Sequence, residues 1–458
     1  MTDKIVFYKK VRDKLNEVGP GMCLAKWSQV TLHLQNGHNH SCHHPNTHLI
    51  PLEEIAKDPS ALHNTNFKKL ARKEMMTGSR PEECHYCWNV EDNTPQDRDD
   101  VFSDRVLKTS EPWSLALKDR VLELGYTGNI NPSYLEVSFS HGCNFKCAYC
   151  SPHISSKWME EIKQYGYYPT SRRYNDLAHI EFQGKIPIPE REDNPYVDAF
   201  WAWWPNLYPS LHTFRITGGE PLMTKHTFKV LDYIIDNPNT KMELAINSNC
   251  VVEEKLFDKF IDKVKIILDK KCVKAIKLYT SCEAYGEKAE YIRNGLDYDK
   301  WLKNCSRYLK ELPTAHFGIM STYNALSITS YTEFLKDVLI LKLRYENEYR
   351  NVRIDIPYLD HPKWMNVGIL PKSFMPLLQK QIKFMKDNKI SNDISIGFTE
   401  YEIGKLERIQ YLFQDDPELV NQKDFVLFFD EHDRRRNTDF LATFPEMKDF
   451  YHYCKGIT

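Results

Sequence analysis

The sequence predicts an α/β protein: a parallel sheet or barrel of six strands or so, preceded by a cysteine- and histidine-rich module and followed by a helical carboxyl-terminal extension. Three observations carry this. Strand-like runs alternate with helix-like ones through the middle of the chain, the pattern of parallel strands joined by crossover helices. Seven of the 12 cysteines fall into two spaced groups before residue 151. The 458 residues suffice for a large core and one smaller module.

Taken in order, WSQVTLHLQNG and HNHSCHH read as two strands turned around Asn36-Gly37, a pair that tolerates positive φ. Leu52 to about Gly78 is helix-like, with Pro81 marking its end. A polar stretch (91–100) follows. The strand candidates are 134–140, 213–218, 242–248, 274–280, 315–321 and 352–358, and helical periods lie between most of them, as at 226–236 and 331–343. The connection 151–212 is long for one crossover and holds FWAWWPNLYPSL (200–211), which reads as a packing insertion, or as a wall lining substrate. DEHDRRR (430–436) reads as a solvated turn between two packing helices, ahead of a carboxylate or phosphate clamp from Arg434 to Arg436. The expected divisions are 1–115, 116–365 and 366–458.

Charges nearly cancel, at a formal net charge of −2, which makes a nucleic-acid partner unlikely. The first residues, MTDKIVFYKK, lack the apolar run of a signal peptide, and no stretch approaches a spanning helix. The chain is therefore expected in the cytoplasm, away from membranes. In that reducing compartment grouped cysteines bind metal more often than they pair. The scattered five (Cys250, Cys272, Cys282, Cys305, Cys454) are expected in the core.

The first group is CNFKCAYC, residues 143–150, directly after a strand candidate. Three thiolates on one short loop can each bind one iron of a [4Fe–4S] cube and leave the fourth iron open to an amine and a carboxylate. A zinc site completed by His141 or His153 is the alternative. CNFKCAYC resembles the signature of the radical S-adenosylmethionine superfamily. That resemblance implies a partial, TIM-like barrel of six β/α units and Tyr149 near the adenine of bound S-adenosylmethionine.

Other segments extend the resemblance over about 134–360. Thr217-Gly218-Gly219-Glu220-Pro221 follows the second strand; its glycines admit a close backbone approach, and the family uses this motif to hold the methionine amino group. Ser248-Asn249-Cys250 stands where relatives usually show Thr-Asn-Gly. In SCEAYGEKAEYIR (281–293), Ser281 and Arg293 match the family's carboxylate-holding positions, and Glu283 that of an aspartate facing substrate. Thr322 and Asn324, after the fifth strand, are weaker candidates for cofactor contact.

The second group is Cys23, then 13 residues to Gly37, four more to Cys42, and later Cys84-x2-Cys87. It resembles the twitch domain, the shortened relative of the SPASM domain. That implies a second, auxiliary [4Fe–4S] cluster held by Cys23, Cys42, Cys84 and Cys87, though here the module precedes the barrel instead of following it. Tetrahedral zinc suits four cysteines equally well. The histidines around Cys42 (His38, His40, His43, His44, His48) are expected on the exposed hairpin, some donating to groups around the cluster, ahead of the alternative that one replaces a cysteine ligand.

The resemblance implies an enzyme that cleaves S-adenosylmethionine reductively to a 5′-deoxyadenosyl radical, fed by an external flavodoxin- or ferredoxin-like electron donor. The substrate is expected to be a peptide or protein side chain; only 22 residues precede Cys23, too few for a fused leader-binding domain. The alternatives are a dehydrogenase of small alcohols such as aminosugars, with the auxiliary cluster as electron acceptor, and a non-catalytic iron–sulfur or zinc scaffold.

Overall fold

The computed structural model describes residues 2–95, 98, 100–393 and 395–457; residues 96, 97 and 99 of the polar stretch lie outside them. In chain order the strands are β1 (Gln29–His33), β2 (His38–His40), β3 (His48–Leu49), β4 (Tyr134–Ser138), β5 (Lys146–Cys147), β6 (Thr213–Thr217), β7 (Asn239–Asn247), β8 (Val273–Ser281), β9 (Arg293–Asn294), β10 (His316–Met320) and β11 (Val352–Asp355). The six strands expected between 134 and 358 are β4, β6, β7, β8, β10 and β11. The chain divides into two compact units: Met1–Ser140, Pro187–Gly218 and Asn239–Leu244 form the first, and His141–Ile186, Gly219–Pro238 and Ala245–Thr458 the second.

In the first unit the strand order is β6-β4-β1-β2-β3. β4 runs parallel to both β6 and β1, with Gln29 opposite Tyr134 and His33 opposite Ser138, while β2 and β3 add antiparallel. β1 is buried along nearly its whole length, so it needs partners on both sides, as an interior strand does. The turn to β2 takes four residues, 34–37, with Gly37 at φ +71°. A Cβ there would sit 2.1 Å from the Tyr196 ring, because the helix Pro195–Leu207 lies over the turn.

That cover corrects the expectation of an exposed histidine hairpin. His38 and His40 are buried, and only His43 of the five is open. Their nitrogens are used internally: His38 meets Thr47 Oγ1 at 3.1 Å, His44 meets Asp104 at 2.9 Å and His48 meets Thr65 Oγ1 at 3.0 Å. Burial lowers His48 to about 3, keeping it neutral.

The expected helix from Leu52 to Gly78 is broken into Leu52–Lys57, a 3-10 turn at Pro59–Leu62, and Asn66–Met76. Pro59 forces Asp58 into extended backbone, and Thr65 starts the last piece by accepting from Lys68 N–H. Val11, Leu15, Leu24, Trp27, Met75, Val106 and Val121 form a core around the segment that carries Cys23. In FWAWWPNLYPSL, Phe200, Trp203 and Trp204 are buried, with Trp204 against Phe214 at 5.0 Å. This segment is a packing insertion.

In the second unit β8, β10 and β11 are parallel neighbours, flanked by the helices Glu254–Asp269, Tyr298–Glu311 and Tyr331–Tyr345. From Met375 on, the described residues hold helices joined by loops, including Met375–Asp387, Leu419–Arg436 and Lys448–Lys455. DEHDRRR is not a solvated turn: it is the final part of the helix Leu419–Arg436. Glu431 pairs with Arg434 and Arg435 one turn on, and the helix stops where Asn437 adopts φ +51°. Arg435 and Arg436 point inward. The five scattered cysteines are all buried. No helix of the described residues is long and apolar enough to cross a membrane.

Two candidate cysteine sites

The loop Cys143–Cys150 is held by its backbone, which leaves the three thiols as its free chemistry. Cys143 N–H donates to Ser156 Oγ and the Ser156 hydroxyl returns a bond to Cys143 O, both at 3.1 Å. Trp158 Nε1 donates to Cys147 O at 2.8 Å. Tyr174 hydroxyl and Asn175 Nδ2 donate to Cys150 O at 2.8 and 3.0 Å. Cys147 lies on β5, opposite Arg293 on β9. Burial raises all three thiols, Cys150 to about 12. Without a cation they stay protonated, and a bound metal is what would make thiolates of them.

The other motifs pack onto this loop. A Cβ on Gly219 would fall 2.3 Å from Gly142 O, and Glu220 N–H donates to that same carbonyl at 2.7 Å. Gly218, at φ +122°, packs its own backbone on Ser138 and Ser140. The Glu220 carboxylate accepts from Ser248 Oγ (2.8 Å), Asn249 N–H (2.7 Å) and Leu222 N–H (3.0 Å). It braces one motif against the next, and burial raises its carboxyl to about 7. Asn249 Nδ2 donates to Asn144 Oδ1, and Asn144 Nδ2 to Val251 O, each at 2.7 Å. Cys250, in the place of the glycine, takes φ +60° and keeps the left-handed turn despite its side chain.

Arg293 is buried and forked. Its Nε and Nη2 donate to Glu283 Oε2 at 2.8 and 2.6 Å, Nη2 also to Tyr149 hydroxyl at 2.6 Å, and Nη1 lies 3.7 Å from Cys147 Sγ. Tyr149 hydroxyl in turn donates to Glu283 Oε1 at 3.0 Å. Burial pushes the Glu283 carboxyl up while Arg293 opposes that rise. Ser281 closes β8 and is half-buried. Asn324 spends both ends of its amide on its own loop, donating to Thr322 O and accepting from Leu326 N–H.

Beside Tyr149 and Ser151 opens a cavity of about 690 Å³, walled by Arg172, Tyr174, Trp364 and Asn421 among others. Asp424 on this wall accepts from Ser171 N–H at 2.6 Å. Part of the long 151–212 connection thus borders the cysteine loop, though not the tryptophan-rich part. The sequence carried no spacing that marks Tyr174 or Asn175, whereas Asn144 lies inside CNFKCAYC and Arg436 inside the arginine run, where it meets the Glu161 carboxylate at 3.1 Å. Tyr174, Asn175 and Arg436 act on carbonyls of the loop backbone, while Asn144 ties the loop to Asn249 and Val251.

Cys23, Cys42, Cys84 and Cys87 line one small cavity, with Lys26, Asp104, Arg105 and Lys108. Cys84 ends a 3-10 turn and Cys87 lies in the first turn of the helix His85–Asn93. Burial raises Cys23, Cys84 and Cys87 to about 12 each, and the four thiols repel one another's ionisation. Among the described residues no three His, Cys, Asp or Glu side chains converge as the ligands of a single ion. A cube suits four cysteines spread around one cavity, since each thiolate then binds a different iron.

The chain matches no known protein-family profile. It is similar to a GTP 3′,8-cyclase of a Nostoc species, 24% identical over 140 residues, or 30% of this chain and 34% of that one. It thus spans about a third of that relative's length. Among solved structures, Streptococcus suis SuiB bound to S-adenosylmethionine aligns at 11% identity and TM-score 0.35, covering 70% of this chain and 64% of that one. TYW1 with a lysine-pyruvate adduct aligns at 14% identity and TM-score 0.28, covering 56% and 75%.

Proposed function

We propose that this chain, a member of the radical S-adenosylmethionine superfamily, is an enzyme that cleaves S-adenosylmethionine reductively at Cys143, Cys147 and Cys150 to modify a peptide or protein side chain. The observation that carries this is one connected frame. Three thiols, Cys143 buried and Cys147 and Cys150 half-buried, sit on a single loop, and Glu220, Asn249 and Arg293 are each bonded to that loop or to its immediate partners.

When bound, a [4Fe–4S] cluster and S-adenosylmethionine supply an electron and the 5′-deoxyadenosyl radical that removes hydrogen from an unreactive carbon. The chain's residues do the rest. Cys143, Cys147 and Cys150 hold the iron. Gly218, Gly219 and Glu220 offer backbone to the methionine amino group, with Ser248 and Asn249 fixing the Glu220 carboxylate. Arg293 and Ser281 face the carboxylate end, and Tyr149 the adenine. Thr322 and Asn324 shape the adjoining loop. The cavity beside the loop, about 690 Å³, falls within the roughly 300–1,000 Å³ of small-ligand pockets, so it suits a single side chain presented by a peptide as well as a small alcohol. Cys23, Cys42, Cys84 and Cys87 hold an auxiliary cluster, and a flavodoxin- or ferredoxin-like protein supplies electrons.

The test is anaerobic reconstitution followed by dithionite and S-adenosylmethionine, with 5′-deoxyadenosine measured by mass spectrometry. Formation by the wild type and not by the Cys143→Ala/Cys147→Ala/Cys150→Ala protein is expected. No formation in a preparation with full iron content would leave a non-catalytic scaffold.

A further inference from the structure

One basic residue on the wall of the cavity beside Tyr149 and Ser151 is held in place by its backbone and left unused by its side chain. Residues 170–175 form a strap pinned at both ends. At one end Ser171 N–H and hydroxyl donate to the two oxygens of the Asp424 carboxylate, at 2.6 and 2.5 Å. Asp424 is 5% exposed and belongs to the helix Leu419–Arg436. Thr170 hydroxyl closes the turn by donating to Arg172 O at 2.6 Å. At the other end Tyr174 hydroxyl and Asn175 Nδ2 hold Cys150 O, and Tyr168 N–H donates to Tyr174 O at 3.0 Å. Arg172 lies between these anchors and lines the cavity with an exposed side chain. A group bound by it would therefore take a set place beside the cysteine loop.

The other charges of that wall are spent on neighbours. Arg173 Nη1 lies 3.6 Å from Asp176, and its guanidinium covers the Tyr167 ring at 4.6 Å. Lys363 Nζ and His361 Nε2 meet Asp360 at 2.5 and 3.3 Å. Of the acids, Asp424 serves Ser171, and Glu418 accepts from Asn421 Nδ2 at 2.9 Å. Among the described residues the Arg172 guanidinium has neither a hydrogen bond nor an ion pair. Its five N–H donors form a planar fork that matches a carboxylate.

We infer, on the reading that this chain modifies a peptide, that Arg172 binds a carboxylate of the substrate, so that the segment offered to the Cys143–Cys150 loop is acidic. A carboxylate held by the strap fixes one point of the peptide, and the loop fixes where the chemistry falls, so the pair positions the reacting residue. An aminosugar-like alcohol brings a cation instead, which the open charge of this wall repels. The carboxylate has two sources in a peptide, an Asp or Glu side chain and a free carboxyl terminus.

The test uses the full-length reconstituted protein with S-adenosylmethionine and three pools of short rhodamine-labelled peptides, read by fluorescence anisotropy. The first pool carries a central Asp or Glu and an amidated carboxyl terminus. The second replaces that residue with Asn or Gln, and the third differs from the second only in a free carboxyl terminus. Wild type should bind the first or the third pool at least about tenfold more tightly than the second, and the pool preferred identifies the source. Arg172→Gln should abolish the preference, Arg172→Lys should keep part of it, and Arg173→Gln should retain it. Equal binding of the three pools, no binding of any, or a preference that survives Arg172→Gln overturns the inference. Formation of 5′-deoxyadenosine by the same wild-type preparation tests the enzyme reading separately. A preference lost with Arg172 but unaccompanied by 5′-deoxyadenosine overturns that reading and leaves the carboxylate site standing.

Discussion

Glu283 and Arg293 lie ten residues apart in sequence and meet as a buried pair at 2.6 Å, with the Arg293 side chain 8% exposed and that of Glu283 1%. The sequence alone assigns each to a ligand; folded, each is first the other's partner, and Tyr149 is the third member. Breaking one side of such a pair leaves a charge stranded in the interior, at a cost of about 3–5 kcal/mol. Glu283→Gln should therefore lower stability by roughly 3 kcal/mol and weaken S-adenosylmethionine binding, since Arg293 then swings free of its fork. Arg293→Lys keeps the charge and loses the fork, so it should keep most stability yet lose most binding. Calorimetry of S-adenosylmethionine binding beside thermal melting would separate the two. Equal behaviour of both variants would contradict this division of roles.

At the scale of elements, the helix Leu419–Arg436 is tied to the cysteine loop by its last residue. Arg436 donates to Glu161 at 3.1 Å and to Lys146 O at 2.8 Å, between Cys143 and Cys147, and lies over the Trp158 ring at 4.8 Å. Lys146 Nζ and Tyr168 hydroxyl complete the ring around Glu161, each at 2.6 Å. Burial works against the Glu161 carboxylate, but Arg436, Lys146 and Tyr168 hold it down at about 2. A depressed carboxylate contributes stability above its unfolded value near 4.5 and loses it as pH falls toward 2. Arg436→Met should cost about 3–5 kcal/mol, flatten acid unfolding between those values, and lower iron retention at Cys143, Cys147 and Cys150. Melting curves against pH, with iron analysis of the purified variant, check all three. A variant as acid-sensitive as the wild type would refute the tie.

At the scale of the whole molecule, each compact unit carries one of the cysteine sets, and the two sets differ in ligand count. With a cluster bound, the three-cysteine loop would leave one iron open, whereas four cysteines would saturate a cube and leave it only electrons to exchange. Cys84→Ser/Cys87→Ser should therefore still form 5′-deoxyadenosine at Cys143, Cys147 and Cys150 while the oxidised product disappears. An unchanged product yield from that variant, measured by mass spectrometry of the substrate, would assign the amino-terminal site a structural role alone.

By itself the sequence determined the six strands between 134 and 358, the two cysteine spacings, and the motifs that gather at strand ends. Each is local: strand alternation, a Cys-x3-Cys-x2-Cys loop and a Gly-Gly-Glu-Pro turn depend on neighbours a few residues away. Only the tertiary structure decided that the histidine hairpin is buried, since β1 runs beside β4 more than a hundred residues on and the helix Pro195–Leu207 covers its turn. The same holds for DEHDRRR, whose charges look solvated until Glu161 and the carbonyls of Lys146, Gly166 and Tyr167 arrive from far upstream. Whether a charge faces water or a partner is set by what packs against it, and no spacing along the chain records that.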